Sequence, residues 1–230
     1  MIDVAEGKKP LMIVGNGEIA SMAHEYFTHD SGYQPVGFAI GRDYIIGDRF
    51  EGLPLVDIET VEQHFPKDQV AAFVAIGDAQ LNRVRARHYR DMKARGYQMA
   101  SYVSSRAFVW HNVKIGDNCF ILEDNTLQAF VTVGNNVILW SGNHIGHRST
   151  IEDHVFVTSH VVISGFCRVG IHSYIGVNAA VGNNVDIAED NYIAMSTSIA
   201  SSTVANTIYQ GNPAEPRKIA ATRFCRVRDE

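Results

Sequence analysis

Histidines are the residues of this sequence best suited to acid–base chemistry near neutral pH. Six of the ten lie close together in the chain: His111, His144, His147, His154, His160 and His172. A neutral imidazole is poised near pH 7 to take a proton from an attacking nucleophile. We single out His147 as a candidate general base, and the elements around it must position it.

A strict six-residue repeat contains these histidines. In steps of six from Val109 to Ile199, all 16 positions are aliphatic: 14 are Val or Ile, and Leu127 and Leu139 are the other two. Ordinary alternating strands would show a period of two. A period of six predicts short strands that point one side chain inward before the chain turns a corner. Three such strands close a triangular coil of 18 residues, so positions 18 apart stack.

The 18-residue stacking rule places small residues on both sides of His147. The residues 18 positions before and after it are Ala129 and Gly165. A histidine between two small neighbours leaves room for a ligand, which favours His147 as the base.

The same rule places other histidines. His154 and His172 are 18 apart and should stack on one edge, as a solvated ladder or as a feature of a subunit interface. His160 should stack between Gly142 and Asn178, where it either lines a ligand cleft or is a surface residue.

The first hundred residues predict a different architecture. Leu11-Met12-Ile13-Val14 is a short buried strand, and Gly15-Asn16-Gly17-Glu18-Ile19-Ala20 follows as a G-x-G-x-x-A turn into a helix. Further strands are expected at 36–40 and 72–76, followed by a helix from Asp78 to Gly96. This pattern indicates a Rossmann-like unit of three or four parallel strands. The turn either binds a mononucleotide or serves only close strand-to-helix packing.

Composition excludes several classes. A net charge of -5 and a pI of 6.0 argue against a general nucleic-acid binder. No run approaches the roughly 18 apolar residues of a membrane span, and the N-terminus lacks the apolar stretch of a signal peptide, so we expect a cytoplasmic protein. Three cysteines without C-x-x-C spacing indicate neither a disulfide framework nor a zinc site.

Charge is unevenly distributed along the chain. Residues 101–205 hold 12 of the 45 charged side chains. We therefore predict three regions, at 1–102, 103–205 and 206–230. The charge-poor middle region suggests flat faces that bury against sister subunits in a homotrimer.

The combination resembles the sialic acid O-acetyltransferase-like family of hexapeptide-repeat sugar acyltransferases, which includes N-acetyltransferases of nucleotide-linked amino sugars. A small Rossmann-like unit, a hexapeptide repeat and Gly211-Asn212-Pro213-Ala214 after the last coil carry the resemblance. It implies a left-handed parallel β-helix, a trimer, and acetyl-CoA or a related acyl-CoA as cosubstrate, without a metal. The implied activity is acyl transfer to the amine of a nucleotide-linked deoxyamino sugar, for lipopolysaccharide or O-antigen assembly.

The resemblance also implies site residues. The family's catalytic histidine stands four places before an inward aliphatic residue, as His147 stands before Ile151. The N-terminal unit would hold the nucleotide sugar through Gly15, Asn16, Gly17, Arg42, Asp43 and Gly77. The acyl-CoA would contact Phe156, His160, Gly165, Val177, Met195, Gly211, Pro213 and Ala214, with residues 206–230 packed near it.

Two positions depart from the family pattern. A glutamate commonly follows the catalytic histidine, whereas this chain has Arg148, so we expect Glu152, Asp153 or a group from another subunit to orient His147 instead. The family's paired aspartates after the second strand are replaced by Gly41-Arg42-Asp43. Arg42 could meet a phosphate through its forked donors.

Three alternatives stay open at this point. One is sugar O-acetylation, and another is a metal hydratase resembling γ-carbonic anhydrases, for which His111 and His147 are two coils apart but Glu152 replaces the third histidine. The last is a binding protein without catalysis.

Overall fold

The computed structural model describes residues 4–212 and 215–228. Two compact units emerge from its internal contacts. The first comprises the described residues up to Gly77 together with Arg87–Tyr102. The second comprises Asp78–Ala86 together with the described residues from Val103 onward.

The first unit is built on a five-stranded sheet with the order β3-β4-β2-β1-β5. Strands β4, β2, β1 and β5 are parallel, and β3 pairs with β4 in the antiparallel direction. Its elements are β1 (Lys9–Val14), α1 (Glu18–His29), β2 (Tyr33–Ile40), β3 (Arg49–Phe50), β4 (Leu53–Asp57), α2 (Val61–His64) and β5 (Ala71–Val74), with α3 (Arg83–Ala94) extending into it.

Apolar runs explain the centre of this sheet. Residues 11–14 of β1 and all of β5 are buried, as expected for parallel strands covered on both faces. Helix α1 buries Ala20, Ala23 and Phe27 on one side. The sequence predicted three or four strands. The structure adds β3 and β4, which are short and partly exposed, so the apolar pattern did not reveal them.

The second unit is a parallel β-helix with three faces, each a ladder of two-residue strands. Face A contains β7 (Phe108–Val109), β10 (Thr126–Leu127), β13 (His144–Ile145), β16 (Val162–Ile163), β19 (Ala180–Val181) and β22 (Ser198–Ile199). Face B contains β8 (Lys114–Ile115), β11 (Thr132–Val133), β14 (Thr150–Ile151), β17 (Arg168–Val169) and β20 (Asp186–Ile187).

Face C is the longest of the three. It contains β6 (Tyr102–Val103), β9 (Phe120–Ile121), β12 (Ile138–Leu139), β15 (Phe156–Val157), β18 (Tyr174–Ile175) and β21 (Tyr192–Ile193). The parallel strand β23 (Thr207–Gln210) and the antiparallel strand β24 (Glu215–Ala220) extend it, and α4 (Ala221–Phe224) follows.

The register confirms the 18-residue coil. Leu127 pairs with Ile145, and Ile145 pairs with Ile163, each 18 residues further on. The inward Val, Ile and Leu side chains form one continuous buried core along the helix. Burial of this aliphatic ladder is the main force that holds the coils together.

From residues 116–119 onward, each corner of the triangle turns on one residue with a positive φ. We call the corner between faces A and B, at 110–113, 128–131, 146–149, 164–167 and 182–185, the open edge. The corner between faces B and C, at 116–119, 134–137, 152–155, 170–173 and 188–191, is the sealed edge. The corner between faces C and A, at 122–125, 140–143, 158–161, 176–179 and 194–197, is the third edge.

Segment 78–86 differs from the sequence prediction. The helix expected from Asp78 begins at Arg83, because Gln80, Leu81 and Asn82 adopt left-handed backbone conformations with φ of 57°, 49° and 64°. Leu81 is buried against Ile208 and Ala221 of the second unit. Tertiary packing thus overrides the helical pattern at these positions.

Candidate functional site

His147 lies at the open edge, in the turn between β13 and β14, and its side chain is exposed. Its ring rests on the next coil at Gly165, as the stacking rule predicted. A Cβ placed on Gly165 would come within 2.6 Å of His147 Cε1. Glycine is therefore required at 165 for the imidazole to hold this position.

A side chain from the preceding coil holds the other side of His147. Gln128 Oε1 accepts a hydrogen bond from the His147 backbone N–H at 2.9 Å and lies 3.3 Å from His147 Nδ1. The ring of Phe166 meets the imidazole edge-on at a centroid distance of 5.0 Å. His147 Nε2 has no hydrogen-bond partner among the described residues. Gln128 was not predicted from the sequence. The signal that could have revealed it is a polar residue 19 positions before the histidine.

The open edge also carries exposed apolar residues around His147. Phe130, Arg148 and Phe166 occupy successive corner positions with φ of 65°, 58° and 59°, where Asn, Asp and Gly are more usual. The Arg148 guanidinium lies 4.3 Å from the centroid of the Phe130 ring, a cation–π contact. The large exposed apolar side chains of this edge and face A are Phe108, Trp110, Phe130, Val162 and Phe166.

Backbone donors at this corner are already in use. The N–H of Arg148 donates to Ala129 O at 3.1 Å, and that of Phe166 donates to His147 O at 2.9 Å. The Gly165 N–H donates to Asn183 Oδ1 at 3.0 Å. These N–H groups therefore serve the coil and do not form an oxyanion hole.

The prediction that Glu152 or Asp153 orients His147 is wrong for this chain. Both residues lie on the sealed edge, because five or six residues carry the chain to the next corner. Glu152 binds Arg168 at 2.6 and 3.1 Å. Asp153 Oδ1 accepts from the backbone N–H of Asn135 at 2.7 Å.

The predicted acyl-CoA residues are spread over several surfaces of the chain. Gly165 lies under His147 at the open edge, whereas His160, Val177 and Met195 are exposed on the third edge. His160 stacks on Gly142 as expected, since a Cβ there would lie 2.5 Å from His160 Nδ1. Within one chain, therefore, the set does not form a single pocket.

Phe156 needs a correction as an acyl-CoA contact. It lies on face C with 5% of its surface exposed. Its ring stacks on Tyr174 at 5.6 Å, and the Arg85 guanidinium lies 5.6 Å from its centroid. The ring is covered from within the second unit, which leaves it no surface for a ligand.

The C-terminal region borders the third edge. Gly211 turns between β23 and β24 with φ of 104°, and its carbonyl accepts from Ser198 N–H at 3.1 Å. A pocket of about 230 Å³ lies nearby, lined by Met195, Gln210 and Arg217 together with Tyr192, Ala194, Ile208, Ile219 and Phe224. Pro213 and Ala214 lie outside the described residues.

His154 and His172 stack on the sealed edge as predicted, with ring centroids 4.9 Å apart, but neither is solvated. Asn136 Nδ2 lies 2.8 Å from His154 Nδ1. The side-chain amide of Asn82 donates to the carbonyl oxygens of His172 and Ser173. Arg83 Nη2 donates to both carboxylate oxygens of Asp190, at 2.8 and 2.9 Å. These histidines are therefore part of the core.

Arg85 closes this edge and was not foreseen from the sequence. Its side chain is fully buried and donates to the carbonyl oxygens of Asn136, His154 and Val155. Burial lowers the pKa of the Arg85 guanidinium to about 9. Buried polar groups cost free energy unless they are hydrogen-bonded, so this network fixes segment 78–86 on the β-helix.

The predicted nucleotide residues of the first unit lie after the carboxyl ends of parallel strands, where α/β sheets bind ligands. Gly15 has φ of 132°, and a Cβ on it would lie 2.6 Å from Ala75 O, so close packing alone requires this glycine. Gly17, before α1, faces open space. Asn16 Nδ2 donates to Tyr44 O at 2.8 Å, which joins the first loop to the loop after β2.

Arg42, Asp43 and Gly77 are the other three residues predicted to bind the nucleotide. Arg42 is exposed and pairs with Asp57 at 3.2 Å, so its guanidinium already has an anionic partner. Asp43 is exposed in a single turn of 3₁₀ helix after β2. Gly77 follows β5, with Ile19 Cγ1 at 4.0 Å from a Cβ placed there.

Two further observations concern the described ranges 4–212 and 215–228. No group of three His, Cys, Asp or Glu side chains there could hold a metal ion. No helix in them has the length and apolarity needed to cross a membrane.

Comparison with solved structures defines the fold class. No protein-family model matches the sequence, and no curated protein matches it. Solved structures do match, several of them over more than 90% of the chain. The chain has the fold of hexapeptide-repeat sugar N-acetyltransferases, which confirms the predicted α/β unit followed by a left-handed parallel β-helix.

Three matches illustrate this. The acetyltransferase domain of PglB from Neisseria gonorrhoeae FA1090 is 20% identical, with a TM-score of 0.81, and the match covers 91% of this chain and 100% of that one. A variant of perosamine N-acetyltransferase from Caulobacter crescentus, in complex with CoA and GDP-perosamine, is 20% identical, with a TM-score of 0.83 and coverage of 94% and 100%. A variant of AntD, an N-acyltransferase from Bacillus cereus, in complex with dTDP and coenzyme A, is 16% identical, with a TM-score of 0.51 and coverage of 60% and 91%.

Proposed function

We propose that this protein is a CoA-dependent acyltransferase that moves an acetyl or short acyl group to the amine of a nucleotide-linked deoxyamino sugar. The observation that carries the proposal is the exposed His147, which is held between Gln128 and Gly165 on the β-helix. The fold of the chain matches that of sugar N-acetyltransferases over 94% of its length. Some of the matched structures contain CoA, acetyl-CoA, GDP-perosamine or dTDP. These ligands support the proposed substrate classes.

His147 would act as the general base. As the amine nitrogen attacks the thioester carbonyl carbon, the N–C bond forms, the C–S bond breaks, and Nε2 accepts the proton that the amine must lose. His147 then returns this proton to the departing CoA sulfur. No covalent bond to the protein is needed in this sequence.

The carbonyl oxygen gains negative charge in the same step and needs a donor. The backbone N–H groups of Arg148, Gly165 and Phe166 are engaged within the coil. The Arg148 guanidinium rests on Phe130 and forms no ion pair with a carboxylate of the described chain. We assign stabilisation of this charge to Arg148.

A homotrimer is part of the proposal, because one chain alone does not assemble the acyl-CoA residues. His147 and Gly165 lie on the open edge, whereas His160, Val177 and Met195 lie on the third edge. Apposition of the open edge of one subunit with the third edge of the next would form a cleft from both sets. The exposed Phe130 and Phe166 would be buried in that contact, in an assembly of about 76 kDa, three times 25.4 kDa.

The chain offers a candidate binding region for each of the two substrates. The pocket beside Met195 combines apolar walls with Arg217, a pairing suited to a ligand with an aromatic base and phosphates. In the first unit, the loops around Gly17 and Asp43 would hold the nucleotide of the sugar donor. Acyl-CoA and nucleotide sugars are cytoplasmic metabolites, which supports a cytoplasmic role in surface-polysaccharide assembly.

A mass-spectrometric screen tests the proposal. Acetyl-CoA and other short acyl-CoAs are incubated with nucleotide-linked amino sugars, and the expected product is an alkali-stable amide. An alkali-labile ester would mean O-acylation instead. Stoichiometric zinc in the purified protein, together with no transfer from any acyl-CoA, would contradict the proposal in favour of a metal hydratase.

A further inference from the structure

The contact between Gln128 and His147 determines more than the position of the ring. The backbone N–H of His147 is an obligatory donor, so the side-chain amide atom 2.9 Å away must be the oxygen of Gln128. This fixes the orientation of the amide, which could otherwise be assigned in either direction. The same oxygen lies 3.3 Å from His147 Nδ1.

An amide oxygen can only accept a hydrogen bond, so Nδ1 must carry the proton in this contact. In a neutral imidazole, one nitrogen is the donor and the other is the acceptor. Nε2 therefore keeps its lone pair, and it has no hydrogen-bond partner among the described residues. A free histidine side chain in water favours the opposite tautomer, with the proton on Nε2.

We propose that Gln128 is a positioning residue that holds His147 in the Nδ1–H tautomer and so presents Nε2 as the proton acceptor. The inference rests on the proposed function, and it names the group that prepares the base. It also explains how this chain manages without an acidic residue after the histidine: a neutral amide from the preceding coil fills that place.

The neutrality of the amide has a consequence for pH dependence. A carboxylate at this distance would favour the imidazolium form and raise the pKa of His147, whereas an amide adds no charge. The other groups packed against the ring, Gly165 and Phe166, are uncharged, and Ala129 stacks one coil before. The charged residue next in sequence is Arg148, whose guanidinium lies on the Phe130 ring. A carboxylate in place of the Gln128 amide is therefore expected to favour protonation of His147.

A purely structural role for Gln128 is the competing explanation. Side-chain amides accept backbone N–H bonds elsewhere on this edge, and Asn112 Oδ1 accepts from Phe130 N–H at 2.8 Å. Asn112→Ala therefore removes a bond of the same kind one coil earlier without touching His147 Nδ1. It is the matched control for Gln128→Ala.

The first experiment reads the tautomer by NMR on the full-length protein with ¹⁵N-labelled histidine rings, with His147→Asn used to assign the resonance. We expect the Nδ1–H form in the native protein and in Asn112→Ala, and a shift toward the Nε2–H form in Gln128→Ala. The resonance of His160, which rests on Gly142 at the third edge, should stay unchanged in all of them. An Nε2–H tautomer in the native protein would overturn the proposal.

The second experiment titrates His147 in Gln128→Glu, which keeps the acceptor oxygen and adds a charge. We expect the pKa of His147 to rise by about 1 unit relative to the native protein, and the acid limb of kcat/KM to move by the same amount. Gln128→Ala should lower kcat about tenfold with little change in KM, and Gln128→Glu should restore it at high pH. An unmoved pKa in Gln128→Glu contradicts the proposal.

The two readouts separate this inference from the proposed function. The tautomer and the pKa are measured without substrates, so they test Gln128 even if no acyl transfer is found. If the Gln128→Ala variant is active with an unchanged kcat, Gln128 is not a positioning residue, whereas the acyltransferase proposal still stands.

Discussion

The open edge and the sealed edge of the β-helix repeat the same backbone turn every 18 residues, yet they differ in what lies on them. On the sealed edge, Asn136, His154 and His172 are buried beneath Arg85 and Asn82, and their polar atoms serve internal hydrogen bonds. On the open edge, Phe130, His147 and Phe166 are exposed.

This difference shows that position in the repeat does not decide the role of a histidine. His154 and His160 both occupy the positive-φ position of a corner, yet His154 is buried beneath Arg85 and His160 is exposed on the third edge. Residues that rarely adopt a positive φ occupy the corners of the open edge. The sealed edge therefore has a structural role, and the exposed groups of the open edge are the reason why we propose the chemistry there.

Removal of the imidazole tests the open edge most severely. His147→Asn should lower kcat by roughly 10²–10⁴ because the amine loses its general base. The side chain is exposed, so the free energy of unfolding should change by less than about 0.5 kcal/mol. Steady-state kinetics and urea denaturation measure the two quantities, and undiminished turnover would exclude His147 as the base.

The glycine beneath His147 provides the next test. Gly165→Ala places a Cβ 2.6 Å from His147 Cε1 and must displace the ring, so kcat should fall about 10²-fold. Gly142→Ala is its counterpart, since it displaces His160 on the third edge by a similar clash. That variant should raise the KM for acyl-CoA and change kcat by less than about twofold. The reverse pattern would move the chemistry to the third edge.

Substitutions on the sealed edge should lower the stability of the protein and leave its activity unchanged. Arg85→Met keeps much of the side-chain volume but removes the donors to the carbonyls of Asn136, His154 and Val155. We expect the free energy of unfolding to fall by about 2–3 kcal/mol, because these buried oxygens lose hydrogen bonds. Urea denaturation measures this loss. A kcat that collapses in fully folded Arg85→Met would break the division between the edges.

The smallest expected effect is a change in the affinity between the subunits of the proposed trimer. Phe166→Ser removes an exposed aromatic ring that the proposed trimer would bury, at a cost of about 1–3 kcal/mol in association. Analytical ultracentrifugation over a dilution series should show a trimer near 76 kDa that dissociates at higher concentration in the variant than in the native protein. Identical dissociation in both proteins would place Phe166 outside the subunit contact.

Sequence reasoning captured what depends on periodicity. The inward aliphatic ladder and the pairs His147 over Gly165, His160 over Gly142 and His154 against His172 follow from counting in eighteens. The G-x-G turn and its strand follow from local residue preferences.

What sequence reasoning missed depends on contacts between distant segments. Arg85 lies in a stretch that reads as an ordinary helix, and its partners are 51 and 69 residues away. Glu152 was assigned to His147 from proximity in sequence, although five residues bring the chain to another edge. Gln128 could not be predicted because, in the sequence, it is an ordinary polar residue at a corner. Only the distance from its amide oxygen to His147 Nδ1 distinguishes it.

A ligand titration followed by NMR tests the central claim most directly. Acetyl-CoA is added to the native protein while the imidazole resonances of the ten histidines are recorded. The account predicts saturable shifts at His147 and His160, on the two edges that would form the cleft, and unmoved resonances for His154 and His172. No shift at His147 up to millimolar acetyl-CoA, or shifts confined to His154 and His172, would contradict it.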